Sequence, residues 1–413
     1  MSQETLGRRR FITGIIGGLV VGAAGGYVAG VTLFKSGERA EKEEGLPNPV
    51  KIGVAAGLSG AMGSVVSGML EGAQLAVKLW NNQGGIRGRS VELIVEDSQN
   101  DPTKALEAVK KLVEVNGVKV IVGLPISVEV MSVASYVNTK EVLLMSWRAS
   151  SPAISELGDD YIFRGVASDT LTTKGLAEWV KFKGYNRIAT FVRSDDWGIG
   201  LEKGLESELP GKIIARVRAD LSKGDFRSEL ELIKQAKPDA IMWAIFVEDA
   251  KVILKQALEI GIDAIPSFGD TPLDVPAVLE DPVLASYFQR SGWTEYSVVV
   301  PKSSYNYQLF ASQFNEAYGK NPPPFSELGY DITNLMIFAI SDAGVYDPKL
   351  IKKSVLKLSQ HYIGPSGHKA YDSKGDIILQ EYQISTVKEK NGKLEWVQIG
   401  KWNPAEGVVL TAS

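Results

Sequence analysis

The chain has 413 residues, of which 44% are hydrophobic and 23% are charged, and its formal net charge is -4. This length favours two compact lobes over one ordinary core, and the composition excludes a disordered or fibrous protein. The first 35 residues carry a net charge of +3, which leaves -7 for the remainder. That remainder lacks the basic patches with interleaved aromatic residues that bind nucleic acid, so we predict no nucleic-acid partner.

The residue inventory also narrows the chemistry. No cysteine is present, which removes disulfides, thiolate metal sites, cysteine nucleophiles and lipid attachment at a cysteine. His361 and His368 are the only histidines, so a histidine-ligated metal or a Ser/His/Asp triad has little to draw on. We therefore predict a protein that has no cofactor and is not an enzyme.

The N-terminus predicts an export signal. Arg8 and Arg9 precede Phe11 in a twin-arginine pattern, and an uncharged run follows at 12–34. As a helix rising about 1.5 Å per residue, this run is long enough to cross a hydrocarbon core of about 30 Å. We predict a twin-arginine signal or signal anchor at 1–35, with the protein exported to the periplasm or to the outer face of the cytoplasmic membrane. Whether the signal is cleaved stays open.

The folded body is predicted to begin at Val50, after a flexible charged linker at 36–49. From there short apolar runs alternate with helical patterns, which indicates βαβ units and a mainly parallel sheet. The predicted strands of the first half are 50–56, 90–97, 118–123, 142–146 and 161–166. Those of the second half are 187–194, 212–219, 240–246 and 265–270.

Helices and hairpins complete the predicted elements. Asp101 and Pro102 form a typical N-cap and first helical position, and apolar residues follow at helical spacing. Near the C-terminus, helical patterns at 308–343 and 348–359 lead to strand-like segments. These segments turn at 373–375 and at Asn391–Gly392, which predicts hairpin strands that finish the second half.

A set of short motifs runs the length of the body. In chain order they are LSG at 58–60, GA at 72–73, NNQGG at 81–85, DP at 101–102, ASSP at 149–152, WG at 197–198 and YDSKGD at 371–376. Together they resemble the leucine/isoleucine/valine-binding family over essentially the whole chain from Val50 to the C-terminus. The resemblance implies an α/β fold of two Rossmann-like lobes joined by a three-strand hinge, the type I periplasmic binding protein fold, preceded by a signal or anchor helix.

The resemblance also implies a domain division and a function. Lobe 1 comprises 50–168 and 300–362, and lobe 2 comprises 169–299 and 363–413. Such proteins bind a ligand between the lobes by hinge closure. The implied function is the extracytoplasmic ligand-binding component of an ABC importer for branched-chain amino acids or a related small carboxylate or amide, with the permease subunits of the transporter as partners. A membrane-anchored sensor with the same fold is the alternative.

Two serines are candidates for binding a ligand carboxylate. Ser127 and Ser150 follow consecutive predicted strands, and Ser127 lies at a predicted helix N-cap, where unpaired N–H groups and the helix dipole attract an anion. The competing interpretation is that both serines only cap helices. The family resemblance favours the binding role, in which their hydroxyls and backbone N–H groups hold the carboxylate.

The resemblance assigns the ligand's amino group to the backbone of Arg148 and to Asp169, with Ala149 in the same motif. Asp270 is a further acidic candidate, although Thr271 also fits the family's position. Arg148 departs from the family, whose amino-acid binders have a small residue there. Two alternatives stay open: its guanidinium points away and pairs with an acid, or it enters the pocket and contacts a second acceptor of the ligand, which moves specificity away from aliphatic side chains.

The remaining implied site residues are apolar or belong to a loop. Trp197 and Phe246 match aromatic positions of the second lobe that close over the ligand. Ser59 and Val65 belong to the segment GLSGAMGSV, which lacks the spacing of a nucleotide-binding loop and instead suits a backbone-lined loop beside the ligand.

Overall fold

A computed structural model describes residues 45–411 except 60–61, 158–160, 272 and 274–275. The predicted export signal, with Arg8, Arg9 and Phe11, and most of the linker therefore lie outside the described residues. Within the described part of the chain, no helix is both long and apolar enough to span a membrane. The strands of this part form two main sheets and one short two-stranded ladder.

The first sheet is parallel and has the strand order β2-β1-β3-β4-β5. Its strands are β1 (Val50–Ala56), β2 (Val91–Asp97), β3 (Val120–Gly123), β4 (Leu143–Ser146) and β5 (Ile162–Arg164). Most of these strands are continuous apolar runs because helices cover both faces of a parallel sheet. The helices between them are α1 (Gly63–Asn82), α2 (Pro102–Lys110), α3 (Ser127–Thr139) and α4 (Pro152–Ser155). The predicted N-cap is confirmed, since Asp101 accepts hydrogen bonds from the N–H groups of Thr103 and Lys104.

The second sheet is mixed and has the order β15-β14-β13-β10-β9-β8-β6-β7. Its strands are β6 (Ile188–Arg193), β7 (Ile213–Ala219), β8 (Ala240–Ala244), β9 (Ser267–Gly269), β10 (Thr294–Val298), β13 (Tyr382–Lys390), β14 (Lys393–Asn403) and β15 (Gly407–Leu410). The strands β6 to β10 pair parallel with one another, and the pairs β10–β13, β13–β14 and β14–β15 are antiparallel. The turn at Asn391–Gly392 joins β13 to β14 with both residues at positive φ, as the hairpin prediction requires. The α/β fold class is confirmed.

The helices packed with the second sheet are α5 (Asp169–Lys183), α6 (Asp196–Glu208), α7 (Arg227–Ala236), α8 (Val247–Ile260) and α9 (Pro282–Ser291). Three helices follow: α10 (Tyr305–Tyr318), α11 (Ser326–Ala343) and α12 (Pro348–Ser359). The predicted stretch 308–343 is therefore two helices, because Gly319 at φ +68° ends α10 and three prolines at 322–324 precede α11.

The chain passes between the two sheets after β5, after β10 and before β13. The second and third passages lie side by side, since the N–H of Val299 donates to the carbonyl of Glu381 at 2.9 Å. The sequence assigned 363–376 to the second lobe, but the contacts of this segment are with the first. It contains the short ladder of β11 (Ile363–Gly364) and β12 (Gly367–His368), and Ser366 donates its N–H to Asp331 of α11.

Candidate functional site

A narrow cleft with a cavity volume of about 20 Å³ lies where the loops after the first sheet's strands meet the loops of the second sheet. We call it the inter-lobe cleft. Its lining residues are Pro125, Ile126, Ser127, Val128, Arg148, Ser150, Asp195, Trp197 and Phe246. Five predicted site residues are brought together here, namely Ser127, Arg148, Ser150, Trp197 and Phe246. The position at the carboxyl ends of parallel strands is the usual ligand position of an α/β protein.

The start of α3 forms one end of the cleft. The N-cap is Ile126, whose backbone is extended and whose side chain makes no capping hydrogen bond, so the predicted N-cap at Ser127 is one residue too late. The Ser127 hydroxyl instead accepts a hydrogen bond from the N–H of Ser151 at 3.1 Å. The first N–H groups of a helix have no partner within it, and these belong to residues that line the cleft. This end of the cleft therefore suits a carboxylate.

Ser150 and Asp169 form a pair at the first crossing between the sheets. The Ser150 hydroxyl donates to Oδ2 of Asp169 at 2.9 Å, and the Thr172 hydroxyl donates to Oδ1 at 3.3 Å. Asp169 is 0% exposed, and this burial raises the pKa of its carboxyl group although the Ser150 hydrogen bond and the charge of Arg164 oppose the rise. The predicted acceptor of an amino group therefore lies beneath Ser150 and is not part of the cleft lining.

Arg148 is part of the cleft lining. Its guanidinium lies over the ring of Phe325, with 5.1 Å between the central carbon and the ring centroid. Its charge acts electrostatically on Asp169. Within the described residues its guanidinium makes neither a hydrogen bond nor a salt bridge, so the alternative in which it pairs with an acid is not the one observed.

The opposite side of the cleft is a layered stack that we call the aromatic wall, made of Trp197, Phe246 and Arg193. The rings of Trp197 and Phe246 are 5.0 Å apart and 19° from parallel, and the Arg193 guanidinium lies 4.2 Å from the Phe246 centroid. Asp195 and Asp249 each bind Arg193 at 2.7 Å. Sequence reasoning missed Arg193 and Asp195, because a single charged residue after a strand gives no signal that distinguishes it from solvated charge.

The other predicted site residues lie outside the cleft lining. Ala149 is buried and donates its N–H to the Ser146 hydroxyl at 3.0 Å. Ser59 is exposed in the loop after β1, Val65 is half-buried on α1, and Asp270 is half-buried directly after β9. Their ligand-binding roles stay predictions.

The two sides of the cleft are close together. The Ser151 hydroxyl donates to the carbonyl of Asp196 at 3.1 Å, which links α4 of the first lobe to α6 of the second. Only 7% of Trp197 and 6% of Phe246 is exposed, so a ligand between the lobes is largely shielded from water. Among the described residues, no group of three or more histidine, aspartate or glutamate side chains is arranged to hold a metal ion.

Two α/β lobes with a largely shielded cleft at the carboxyl ends of their strands define a two-lobed solute-binding protein. A family model described as periplasmic binding protein matches residues 49–393, and the chain belongs to this family.

Individual relatives agree with this assignment. The chain is 23% identical to the leucine-, isoleucine-, valine-, threonine- and alanine-binding protein of Pseudomonas aeruginosa, over 81% of this chain and 89% of that protein. It is similar in structure to a leucine-binding protein from Thermotoga maritima, with a TM-score of 0.75 at 23% identity, over 86% of this chain and 99% of that one. A solute-binding protein of an ABC transporter from R. palustris, solved with 4-hydroxybenzoate, has a TM-score of 0.73 at 21% identity, over 86% and 97% of the two chains.

Proposed function

We propose that this protein is the extracytoplasmic ligand-binding component of an ABC importer and that it holds a small carboxylate in the inter-lobe cleft. One observation carries the proposal: the uncapped start of α3 and two serine hydroxyls face the aromatic wall across a narrow gap. The relatives support it, because the Pseudomonas protein is named for leucine, isoleucine, valine, threonine and alanine, and the R. palustris protein was solved with 4-hydroxybenzoate. These ligands share a carboxylate.

Each part of the cleft has a task in this proposal. The N–H groups of α3 and the hydroxyl of Ser127 donate hydrogen bonds to the carboxylate, and Ser150, whose hydroxyl donates to Asp169, lines the cleft beside it. Trp197 and Phe246 cover the apolar body and remove it from water. Because the donors belong to one lobe and the rings to the other, a ligand that contacts both favours the closed arrangement by its differential affinity for it.

Export and the transporter complete the proposal. Arg8, Arg9 and Phe11 direct export, and the apolar run 12–34 holds the protein at the outer face of the cytoplasmic membrane, where the permease subunits are its partners. We assign 50–168 and 300–376 to the first lobe and 169–299 and 382–411 to the second, and the hydrogen bond from Ser366 to Asp331 of α11 supports moving 363–376 to the first. The task is binding and delivery, and no catalytic step is part of it. No observation favours the sensor alternative.

Isothermal titration tests the proposal. The full chain, kept in mild detergent because of its apolar run, is titrated with amino acids, dicarboxylates, aromatic carboxylates and amides. At least one carboxylate binds, and Ser127→Ala weakens it about 10-fold to 100-fold, as expected for one hydrogen bond to a charged group. Ser67→Ala on the exposed side of α1 is the matched control and leaves the affinity unchanged. Absence of binding across the panel contradicts the proposal.

A further inference from the structure

The geometry points to a ligand class within the proposed function, on which this inference rests. We propose that the inter-lobe cleft selects a carboxylate that has no ammonium group beside it, and that Arg148 makes this selection. The ligand is then an aromatic or alkyl carboxylate, and the corresponding α-amino acid is rejected.

The charged residues of the cleft lining differ in how far their hydrogen-bonding groups are already engaged. Two lining residues are charged, Arg148 and Asp195. Both carboxylate oxygens of Asp195 are already engaged, one by the Arg193 guanidinium at 2.7 Å and the other by the N–H of Gly198 at 3.0 Å. Arg148 has no acid partner of this kind among the described residues. Arg148 is therefore the charged residue of the lining whose hydrogen-bond donors are left for a ligand.

The cleft offers poor acceptors to the ammonium group of an amino acid. Such a group has three N–H donors and needs acceptors once it leaves water. Of the two acids that the sequence assigns to this task, Asp270 lies outside the cleft lining, and Asp169 is 0% exposed with its two oxygens accepting from Ser150 and Thr172. An α-ammonium group in the cleft loses its water without gaining this acid, and it lies near the positive charge of Arg148.

Arg148 favours a carboxylate that carries a flat apolar body. A guanidinium is planar and binds a carboxylate through two parallel hydrogen bonds. The position of Arg148 over Phe325 restricts the side chain, and the aromatic wall lies across the cleft from it. A ligand with a carboxylate at one end and a flat apolar body satisfies both sides of the cleft. A branched aliphatic amino acid offers the guanidinium the same carboxylate but adds an ammonium group that lies near the positive charge of Arg148.

Matched ligand pairs test the inference, because each pair differs only in the amino group. The full chain in mild detergent is titrated at pH 7 with 3-phenylpropanoate against phenylalanine, and with 4-methylpentanoate against leucine. The member without the amino group binds at least about 10-fold more tightly in each pair. In Arg148→Met this preference falls to within about threefold, because the positive charge that disfavours the ammonium group is removed. Arg148→Lys keeps the charge without the bidentate geometry and retains part of the preference.

A control variant separates a local effect from a change in total charge. Arg216 is exposed on the second sheet and pairs with Glu206, so Arg216→Ala removes one positive charge away from the cleft and leaves both affinities unchanged. Equal or tighter binding of the amino acids overturns the inference and leaves the proposed function intact. If none of the four ligands binds and 4-hydroxybenzoate does not bind either, the inference and the carboxylate site of the proposed function both fail.

Discussion

Glu129 lies in the first turn of α3, below the proposed carboxylate site, and it offers a sharp test of the electrostatics there. Its side chain is 0% exposed, and the Ser98 hydroxyl donates to Oε1. Burial raises the pKa of Glu129 from 4.5 to about 7, and the hydrogen bonds from Ser98 and Asn100 oppose this rise only in part. We predict that Glu129→Gln removes a pH dependence of the protein's stability.

The sign and size of the effect follow from linkage. The folded state holds the proton of Glu129 more tightly than the unfolded state, so the stabilisation is complete below pH 4.5 and is lost as the pH rises through 7. A change of one in pKa corresponds to about 1.36 kcal/mol, so the rise from 4.5 to about 7 corresponds to about 3 kcal/mol. The wild-type free energy of unfolding therefore falls by about 3 kcal/mol more than that of Glu129→Gln between pH 4.5 and 8.

Urea denaturation monitored by tryptophan fluorescence at a series of pH values measures this difference. Other buried carboxyl groups titrate equally in both proteins, so subtracting the two curves isolates Glu129. Glu107→Gln on α2 changes an exposed glutamate and serves as the matched control, with a pH dependence like that of the wild type. Parallel curves for wild type and Glu129→Gln refute the assignment of a raised pKa to this buried group.

Two further predictions concern packing and a buried ion pair. Gly329→Ala places a Cβ 1.8 Å from the Met69 carbonyl oxygen at the contact of α11 with α1. We therefore expect the free energy of unfolding, measured by urea denaturation, to fall by at least about 2 kcal/mol. An unchanged denaturation midpoint contradicts this close approach. Arg164 is 0% exposed, binds Asp376 through Nε at 2.8 Å and donates to the Ser151 carbonyl at 2.8 Å. Arg164→Met therefore lowers the free energy of unfolding by about 3 to 5 kcal/mol, because it leaves a carboxylate without its partner. Adding Asp376→Asn recovers part of that loss, whereas additive losses from the two substitutions argue against the pair.

The sequence predicted most of the fold because the strands are apolar and the helix starts carry capping residues. It missed β10, which has the sequence TEYSV, with three polar residues, and includes Glu295 at 0% exposure. Burial of that glutamate depends on hydrogen bonds from Trp293 and from the N–H and hydroxyl of Thr271, which come from different elements. Thr271 lies 24 residues from Glu295 along the chain, so this partner leaves no local pattern in the sequence.

The sequence predicted only part of the candidate site, because the rest of it depends on tertiary contacts. Ser127, Trp197 and Phe246 belong to motifs that the family resemblance located, and all three line the cleft. The sequence could not show that Asp169 is buried, because its burial depends on how α5 packs after the first crossing. The role of Arg193 behind Phe246 depends likewise on carboxylates from the starts of α6 and α8.

A crystal structure of the chain with the carboxylate that binds it most tightly tests the central claim directly. The account predicts that the carboxylate lies within hydrogen-bond distance of the Ser127 hydroxyl and the first N–H groups of α3. Its apolar body lies against Trp197 and Phe246 with the lobes closed. A ligand bound elsewhere contradicts the account, for example in the neighbouring cavity that shares Asp195 with the cleft and is lined by Ala219 and Ser222.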